Sequence, residues 1–330
     1  MAQTEQNLLL DIDRMSVALG PPGKRVRIVR DVSLEIAPGR ITCVVGESGS
    51  GKSVFAMSLM RLVSDDISEM TAEKALFEGK DLKTLTERDM LKLRGSRMAM
   101  IFQEPMTSLN PVFTIGDQIA EAVQLHQNVS AAEAREKALA ALQSVHIPAA
   151  ERRLDAYPHE LSGGMRQRVM IAMALACEPS LLIADEPTTA LDVTIQAQIL
   201  ALLMELRERS GMGILFITHN LGVVSEIADD VAVMYAGRIV ERAPAVSLFT
   251  DAQHPYTLAL LAAMPHLGAT VERLEPILGR MPPPWEEELG CRFAPRCPFA
   301  APECAKLPPL REIGVDHHVA CWRAPVEDLA

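Results

Sequence analysis

An eight-residue loop, residues 46–53, constrains the fold of this chain more than any other feature. Its sequence, GESGSGKS, fits the pattern G-x-x-x-x-G-K-[ST], and it lies between the apolar run ITCVV and the helically spaced segment KSVFAMSLMRLV. Glycines let such a loop curl so that successive backbone N–H groups point inward, and a helix N-terminus adds partial positive charge. We therefore predict a strand, a phosphate-binding loop and a helix in succession, which is typical of an α/β fold.

The residues of this phosphate loop (residues 46–53) suit the binding of a nucleotide. Lys52 is placed to reach the β- and γ-phosphates, and the Ser53 hydroxyl is placed to ligate Mg²⁺. The predicted nucleotide-binding residues of the loop are Gly46, Ser48, Gly49, Ser50, Gly51, Lys52 and Ser53.

Acidic residues follow a second apolar strand in the segment LLIADEP, residues 181–187. Asp185 is a candidate Mg²⁺ ligand through water, and Glu186 is a candidate base for a water that attacks the γ-phosphate. An acidic pair of this kind is often only a strand-end turn, but the phosphate loop upstream favours the catalytic interpretation. His219 follows the strand GILFIT and is a third candidate, because α/β sheets place their ligands at the carboxyl edge.

Apolar strands alternate with helical segments over most of the chain, which predicts a parallel sheet covered on both faces. Helices are predicted at residues 86–94, 116–147, 163–177 and about 194–209. Ser130 with Glu133 forms a capping-box pattern inside the second of them. After Phe249 the chain becomes Pro-rich and loses periodicity. We therefore predict a nucleotide-binding domain at 1–250 and a C-terminal extension at 251–330.

Charge and hydropathy narrow the functional classes. The chain has 32 basic and 43 acidic residues, a net charge of −11, which disfavours a protein that coats nucleic acid. No apolar run approaches the roughly 18 residues of a membrane span, and no basic residue precedes Arg14, as a secretory signal would require. We therefore expect a cytosolic chain whose six cysteines do not form disulfides.

A longer block resembles a known family. The signature segment, residues 161–165 (LSGGM), is followed by RQRVMIAMALACEPSLLIADEPTTALD, and together they resemble the signature-to-Walker-B block of ABC transporter ATPases. Gln103 then corresponds to the Q-loop, residues 189–192 (TALD) to the D-loop and His219 to the switch histidine. The segments IFQEPMTSLNP and HPYTLALLAAMP and the cysteine-rich tail are similar to those of dipeptide and oligopeptide importers.

The resemblance implies a fold and an activity. The fold is a P-loop ABC ATPase core with a mostly parallel sheet, an antiparallel β subdomain, a helical subdomain at about residues 105–165 and a Pro- and Cys-rich C-terminal extension. The activity is ATP hydrolysis that powers an importer for di- or oligopeptides, with ATP and Mg²⁺ as cofactors. Two such subunits dimerise and sandwich two ATP molecules between the phosphate loop of one and the LSGG of the other.

The resemblance also implies partners and a location. The partners are a second ABC ATPase subunit, identical or different, two transmembrane permease subunits and, indirectly, a solute-binding protein; no nucleic-acid partner is expected. The chain is then a peripheral protein on the cytoplasmic face of the inner membrane. A soluble ABC ATPase that acts on ribosomes or DNA is the alternative, although the single phosphate loop, the lack of heptads and the negative charge disfavour it.

Residue roles follow from the same resemblance. The catalytic residues that it implies are Glu186 as the base, with Gln103 and His219 as γ-phosphate sensors. The residues that it implies for Mg²⁺ are Ser53, Gln103 and Asp185. Ser162, Gly163 and Gly164 bind the nucleotide of the partner subunit, because a hydroxyl, bare N–H groups and a helix dipole suit an anion.

Two positions depart from the general ABC pattern. The signature segment ends in Met165 rather than Gln, as is usual in the peptide-importer subfamily. An aromatic residue near the end of the first strand often stacks on adenine in this family, and Leu19 stands at that position here. We therefore expect weaker adenine packing and assign no aromatic contact to the base.

The cysteine tail, residues 291–321, contains Cys291, Cys297, Cys304 and Cys321 in a Pro-rich segment. Their spacing, C-x5-C-x6-C-x16-C, has no C-x-x-C pair and leaves three interpretations open, which are an iron–sulfur cluster, a Cys₄ zinc site and unligated thiols. The resemblance to peptide importers favours a [4Fe-4S] cluster. His317 and His318 are alternative ligands, but we expect them to be surface residues.

Overall fold

The computed structural model describes residues 8–103, 108–189, 191–264 and 277–326. The chain divides into two compact units. Among these residues, the first unit contains mainly residues 37–40 and 84–216, and the second contains residues 10–36, 41–83 and 217–326.

Thirteen strands lie within the described ranges. They are β1 (Leu10–Leu19), β2 (Val26–Ile36), β3 (Ile41–Val45), β4 (Ser68–Thr71), β5 (Lys74–Phe77), β6 (Lys80–Asp81), β7 (Met98–Ile101), β8 (Leu181–Asp185), β9 (Gly213–Thr218), β10 (Asp230–Tyr235), β11 (Arg238–Pro244), β12 (Arg311–Gly314) and β13 (His317–Val319).

The α-helices of the same ranges are named in chain order. They are α1 (Lys52–Leu59), α2 (Glu87–Leu93), α3 (Ile115–His126), α4 (Ala131–Ser144), α5 (Ala150–Arg153), α6 (Gly163–Leu175), α7 (Val193–Ser210), α8 (Leu221–Ile227), α9 (Ala245–Thr250) and α10 (Pro255–Ala262). Within the ranges that the structure describes, none of these helices combines the length and apolar character needed to cross a bilayer.

An antiparallel sheet forms one layer of the second unit. Its strand order is β2-β1-β5-β6, and β4 also pairs with β1. Leu10 pairs with Ile36 at one end of the β1–β2 ladder and Leu19 pairs with Val26 at the other. Eight apolar side chains of β1 and β2 are buried, as expected of a sheet with one face on a core; they are Leu10, Ile12, Met15, Val17, Val29, Val32, Leu34 and Ile36.

A second sheet in this unit carries the phosphate loop. Its strand order is β12-β13-β11-β10-β3, with β3 and β10 parallel and β10 and β11 antiparallel. Ala236 and Gly237 both have positive φ, which suits the two-residue hairpin that joins β10 to β11. Strands β12 and β13 extend the sheet beyond β11, where Glu241 pairs with Val319. The C-terminal region thus completes a sheet begun at β3.

In the first unit β8 lies between β7 and β9, and β7 and β8 are parallel, with Met98 paired to Leu181 and Ile101 to Ala184. Helices α3, α4 and α6 pack against one another, and α6 also packs on β7. The buried positions of α4 are Ala134, Ala138 and Leu142. They recur every four residues, as a helix with one face on a core requires.

The helices predicted from periodicity are confirmed with small shifts at their ends. The segment predicted helical at 116–147 is two helices, α3 and α4, and the break falls at the predicted capping box. Ser130 Oγ accepts from the Glu133 N–H, and the Glu133 carboxylate accepts from the Ser130 N–H at 2.7 Å. The three later strands and helices predicted around LLIAD and GILFIT are also present, as β8, α7 and β9.

Candidate nucleotide-binding site and cysteine cluster

The phosphate loop follows β3 and ends in the first turn of α1. Gly46 has φ of 154°, and a Cβ there would lie 2.1 Å from the carbonyl oxygen of Met234. No side chain fits that space, so glycine is required for the loop to leave β3 beside β10. The Ser50 carbonyl accepts from the Gly237 N–H at 2.8 Å, which holds the loop against the β10–β11 turn.

Polar groups converge inside the loop. Lys52 is 5% exposed, and its Nζ donates to the carbonyls of Gly46 at 2.8 Å and Glu47 at 3.0 Å. Ser50 is 1% exposed, and no described residue gives its hydroxyl a hydrogen-bond partner. Ser53 lies in the first turn of α1. A buried ammonium and an unpartnered hydroxyl at a helix N-terminus form a cradle suited to phosphate oxygens.

The acidic pair lies at the end of β8, in the first unit. Asp185 is the last residue of the strand, and Glu186 follows in the left-handed region with φ of 47°. Both side chains are buried. Gln103 Nε2 donates to Glu186 Oε2 at 3.2 Å, and Thr189 Oγ1 donates to the same oxygen at 2.8 Å. The structure therefore brings Gln103 and Glu186 together, although they are far apart in the sequence.

The signature segment begins α6 in the same unit. Ser162 is the N-cap, and its hydroxyl accepts from the Met165 N–H at 3.4 Å. Gly163 and Gly164 are the first helical residues, so the first two positions of the helix carry no side chain of their own. A helix start of this composition can bind an anion.

Gln167 is a site residue that the sequence interpretation missed. It is 1% exposed on α6, and its Nε2 donates to the carbonyl oxygen of Pro187, the residue after Glu186. The side chain therefore ties the signature helix to the turn that carries the acidic pair. A signal was present in the sequence, because Gln167 precedes Met170 and Ile171 by three and four residues and so shares their buried face.

The remaining candidates lie in the second unit or outside the described residues. His219 is exposed and follows β9, and the next residue, Asn220, caps α8. Leu19 ends β1 and is half-buried. Ala190 of the D-loop and residues 104–107 of the IFQEPMTSLNP segment lie outside the described residues.

The four cysteines of the tail line one cavity. Cys291, Cys297, Cys304 and Cys321 surround it with Phe293, Trp322 and other residues, and all four are free thiols. The Cys291 N–H donates to the Cys304 carbonyl at 2.9 Å. Gly290, with φ of 142°, makes this approach feasible, because a Cβ there would lie 2.6 Å from the same carbonyl oxygen.

Burial favours the neutral form of three of these thiols. It raises the pKa of Cys297 to about 11, and it also raises the pKa values of Cys291 and Cys321. Across the described residues, no three His, Cys, Asp or Glu side chains are arranged to hold a metal ion. The four thiols are donors that suit a soft metal, but they are not positioned as a metal site in this structure, so the expected iron–sulfur cluster is not shown.

One expectation about the tail is wrong. His317 is not a surface residue, because its side chain is 5% exposed and its Nε2 lies 2.8 Å from Glu241 Oε1. This pairing connects β13 to β11 and commits the imidazole to a carboxylate. His317 is therefore a structural residue of the sheet.

Comparison with known proteins decides the family. A family model described as ABC transporter matches residues 29–189, and one described as Oligopeptide/dipeptide transporter, C-terminal region, matches residues 240–304. A dipeptide transport ATP-binding protein of Escherichia coli is 46% identical over 320 residues, which cover 97% of this chain and 98% of that protein. The chain belongs to the ABC transporter ATP-binding family. The family resemblance and the ATPase activity expected from it are thereby confirmed.

Other relatives of this ABC ATPase agree. A Sinorhizobium fredii protein named "Probable peptide ABC transporter ATP-binding protein" is 52% identical over 320 residues, 96% of each chain. A dimeric ATP-binding cassette in a post-hydrolysis state with ADP and Pi has a TM-score of 0.61 at 25% identity, over 72% of this chain and 98% of that one. The ABC transporter component cbiO1 from Clostridium perfringens has a TM-score of 0.64 at 25% identity, over 74% and 92%. The expected P-loop ABC fold is confirmed.

Proposed function

We propose that this ABC ATPase powers the import of di- or oligopeptides. The observation that carries the proposal is the match of residues 240–304 to the C-terminal region of oligopeptide and dipeptide transporters, beside an intact phosphate loop. The names of the relatives support the same class of cargo. On this proposal the domain division at residue 250 separates the ATPase core from a region particular to peptide importers.

The proposed nucleotide site uses the phosphate loop and the acidic pair. The backbone N–H groups of the loop and Lys52 bind the phosphates, while Ser53, Asp185 and Gln103 hold Mg²⁺. When bound, the ion would supply positive charge to offset the charge that develops on the phosphoryl oxygens. The residues fit this role by donor chemistry, because hydroxyl, carboxylate and amide oxygens are the ligands that Mg²⁺ prefers.

Glu186 is the proposed general base. Two hydrogen bonds to Oε2, from Gln103 and Thr189, fix the orientation of its carboxylate. A carboxylate held in this way can accept a proton from water without reorganising. Gln103 therefore both senses the γ-phosphate and positions the base, and His219 is the second proposed sensor.

The proposed assembly is a pair of ATPase subunits with two transmembrane permeases and, indirectly, a solute-binding protein. Ser162, Gly163 and Gly164 of each ATPase then contact the nucleotide held by the other, which the helix N-terminus of α6 supports. The proposed location is the cytoplasmic face of the inner membrane, as a peripheral subunit.

We also propose that the cysteine tail binds a [4Fe-4S] cluster, with zinc as the alternative. Four free thiols that line one cavity are the support for this proposal. When bound, the group would cross-link four parts of a tail that has little regular secondary structure. Its binding requires the neutral thiols to lose their protons.

The test of the transport function is purification of the tagged chain from its native membranes. We expect two permeases and a second ATPase subunit to co-purify, and we expect a mixture of di- and oligopeptides with the solute-binding protein to stimulate ATP hydrolysis several-fold. Lys52→Ala is the control and should abolish the stimulated hydrolysis. Recovery with ribosomal proteins or DNA in place of permeases would contradict the proposal.

A further inference from the structure

The second residue of the phosphate loop, Glu47, is held by the C-terminal region at two points. Its backbone N–H donates to the Tyr256 hydroxyl at 2.9 Å. Its carboxylate accepts from Arg296 Nη1, at 2.9 Å to Oε1 and 3.2 Å to Oε2. Arg296 lies 249 residues further along the chain and directly precedes Cys297. Tyr256 and Arg296 therefore hold the loop in place, and both lie outside the nucleotide-binding motifs.

Arg296 is fixed in one orientation. Its side chain is 4% exposed. Its Nε donates to the Leu278 carbonyl at 2.9 Å and its Nη2 to the Ile277 carbonyl at 3.3 Å. These hydrogen bonds join Nε and Nη2 of the guanidinium to the backbone of the extension, and the third nitrogen, Nη1, points at Glu47.

Aromatic rings hold the guanidinium from the other side. The Arg296 Cζ atom lies 5.7 Å from the ring centre of Tyr235 and 6.0 Å from that of Phe293. Tyr235, Tyr256 and Phe293 contact one another, with ring centres 4.6 to 5.4 Å apart. All three rings are at most 2% exposed. A rigid, low-dielectric wall of this kind strengthens the Arg296–Glu47 ion pair relative to one in water.

The charge of Glu47 makes this pairing matter for nucleotide binding. The Glu47 carbonyl accepts from Lys52 Nζ, so the residue belongs to the shell of the phosphate cradle. A triphosphate brings several negative charges into that cradle, and an unpaired carboxylate beside it would repel them. Arg296 cancels that charge and keeps the carboxylate on the side of the extension.

We propose that Arg296 is a positioning residue for the phosphate loop, which makes the C-terminal extension a working part of the ATP site. It acts through Glu47, by neutralising the carboxylate and fixing its direction, and it does not contact ATP. The proposal rests on the proposed function in one respect, namely that a nucleoside triphosphate occupies the loop.

The test is the Kd of Mg²⁺-ATP for the full chain, measured by displacement of a fluorescent ATP analogue. Arg296→Met should weaken binding about three- to tenfold, because it leaves one unpaired negative charge near the phosphates. The double variant Glu47→Gln with Arg296→Met should bind within about twofold of the unaltered protein, because both charges are gone. Arg296→Lys keeps the charge and should stay within about threefold.

Arg323→Met is the matched control. Arg323 pairs with Glu303 at 3.2 Å inside the extension, so the change also removes the cation of an Arg–Glu pair. The Kd of Mg²⁺-ATP and the kcat of hydrolysis should both stay within about twofold of the values for the unaltered protein. The rescue by Glu47→Gln is the readout that a merely structural role for Arg296 would not produce.

The possible results distinguish a failure of this proposal from a failure of the proposed ATPase function. An unchanged Kd for Arg296→Met, or a double variant as weak as the single one, would overturn the proposal and leave the ATPase function standing. If Arg296→Met does not fold, Glu47→Gln alone decides the matter, since the proposal requires it to bind ATP at least as tightly as the unaltered protein. Failure of the unaltered protein to bind ATP would overturn both this proposal and the proposed function.

Discussion

At the end of β8 the backbone enters the left-handed region at Glu186, where φ is 47°. A non-glycine residue in that region costs on the order of 1 kcal/mol relative to an extended one. In this conformation the carboxylate lies beside Gln103 and Thr189, which donate to it. A strained residue held by two donors is the arrangement expected of a group whose position matters to a reaction.

Replacement of Glu186 by Gln tests its role as the base. Glu186→Gln should keep the affinity for ATP and accumulate an ATP-bound dimer, because the amide cannot accept the proton of the attacking water. Turnover should fall at least tenfold, since general-base catalysis contributes roughly 10²- to 10⁴-fold. The measurement is phosphate release together with size-exclusion chromatography in Mg²⁺-ATP.

Glu178→Gln is the control for this change. Glu178 is exposed and also has a positive φ, 52°, just before β8. Glu178→Gln makes the same chemical change at a residue with a similar backbone conformation, and it leaves the acidic pair unaltered. Near-normal hydrolysis by Glu186→Gln, or an equal loss in the control, would contradict the assignment.

Leu19 predicts loose recognition of the base. It is a half-buried aliphatic residue at the end of β1, and no ring is available at that position for adenine to stack on. GTP should therefore compete with ATP within about tenfold, a difference under roughly 1.4 kcal/mol. Leu19→Tyr should raise the preference for ATP. A preference of several hundred-fold in the unaltered protein would show that another residue recognises the base.

At the scale of elements, the sequence predicted what is locally encoded. The capping box of Ser130 and Glu133 is an example, because both residues lie in one short segment before an apolar period, and the box is present at the start of α4. Strands β12 and β13 could not be predicted in this way. They are four and three residues long and largely polar, and their pairing is long-range in the chain, with β13 beside β11 and β12 beside β13.

His254 joins the C-terminal region to this sheet and gives the fold a pH dependence. Its Nδ1 accepts from the Tyr256 N–H at 3.0 Å, which caps α10. Burial lowers the pKa of His254 to about 4, although Glu241 and a bond with the Ala320 backbone oppose the shift. The neutral ring is therefore the folded form, and its stability contribution is complete above the unfolded pKa of about 6.5 and is lost as the pH falls through 4.

This loss predicts a lower unfolding temperature in mild acid. The contribution of His254 should decrease by about 2 kcal/mol between pH 7 and pH 5. His254→Asn keeps an N-cap that does not titrate. Its unfolding temperature should therefore change less between pH 7 and pH 5, as measured by thermal unfolding followed by circular dichroism. His159→Asn, at an exposed histidine, should leave the profile unchanged. An unaltered slope in His254→Asn would show that groups other than His254 set the pH dependence.

At the scale of the whole molecule, contiguous motifs were predictable and long-range contacts were not. The phosphate loop and the acidic pair each occupy a few consecutive residues, so their chemistry can be recognised from the sequence alone. The bond between Glu47 and Arg296 joins residues 249 apart, and no pattern near either residue indicates the other. Gln103 and Glu186 are also far apart in the sequence, and their spacing does not indicate that they meet. Their shared role at the nucleotide was expected only from the family resemblance.

The cysteine tail supports the last prediction. Thiols give up protons when a metal binds, and burial raises the pKa values of Cys291, Cys297 and Cys321, so binding should be tighter at pH 8 than at pH 6. If a [4Fe-4S] cluster forms, protein purified without oxygen should be brown and contain about four irons per chain. Replacing any one of Cys291, Cys297, Cys304 and Cys321 by Ser should remove the colour, whereas Cys177→Ser should not. One tightly bound zinc in colourless protein would establish the alternative, and absence of both metals would establish that the four thiols are unligated.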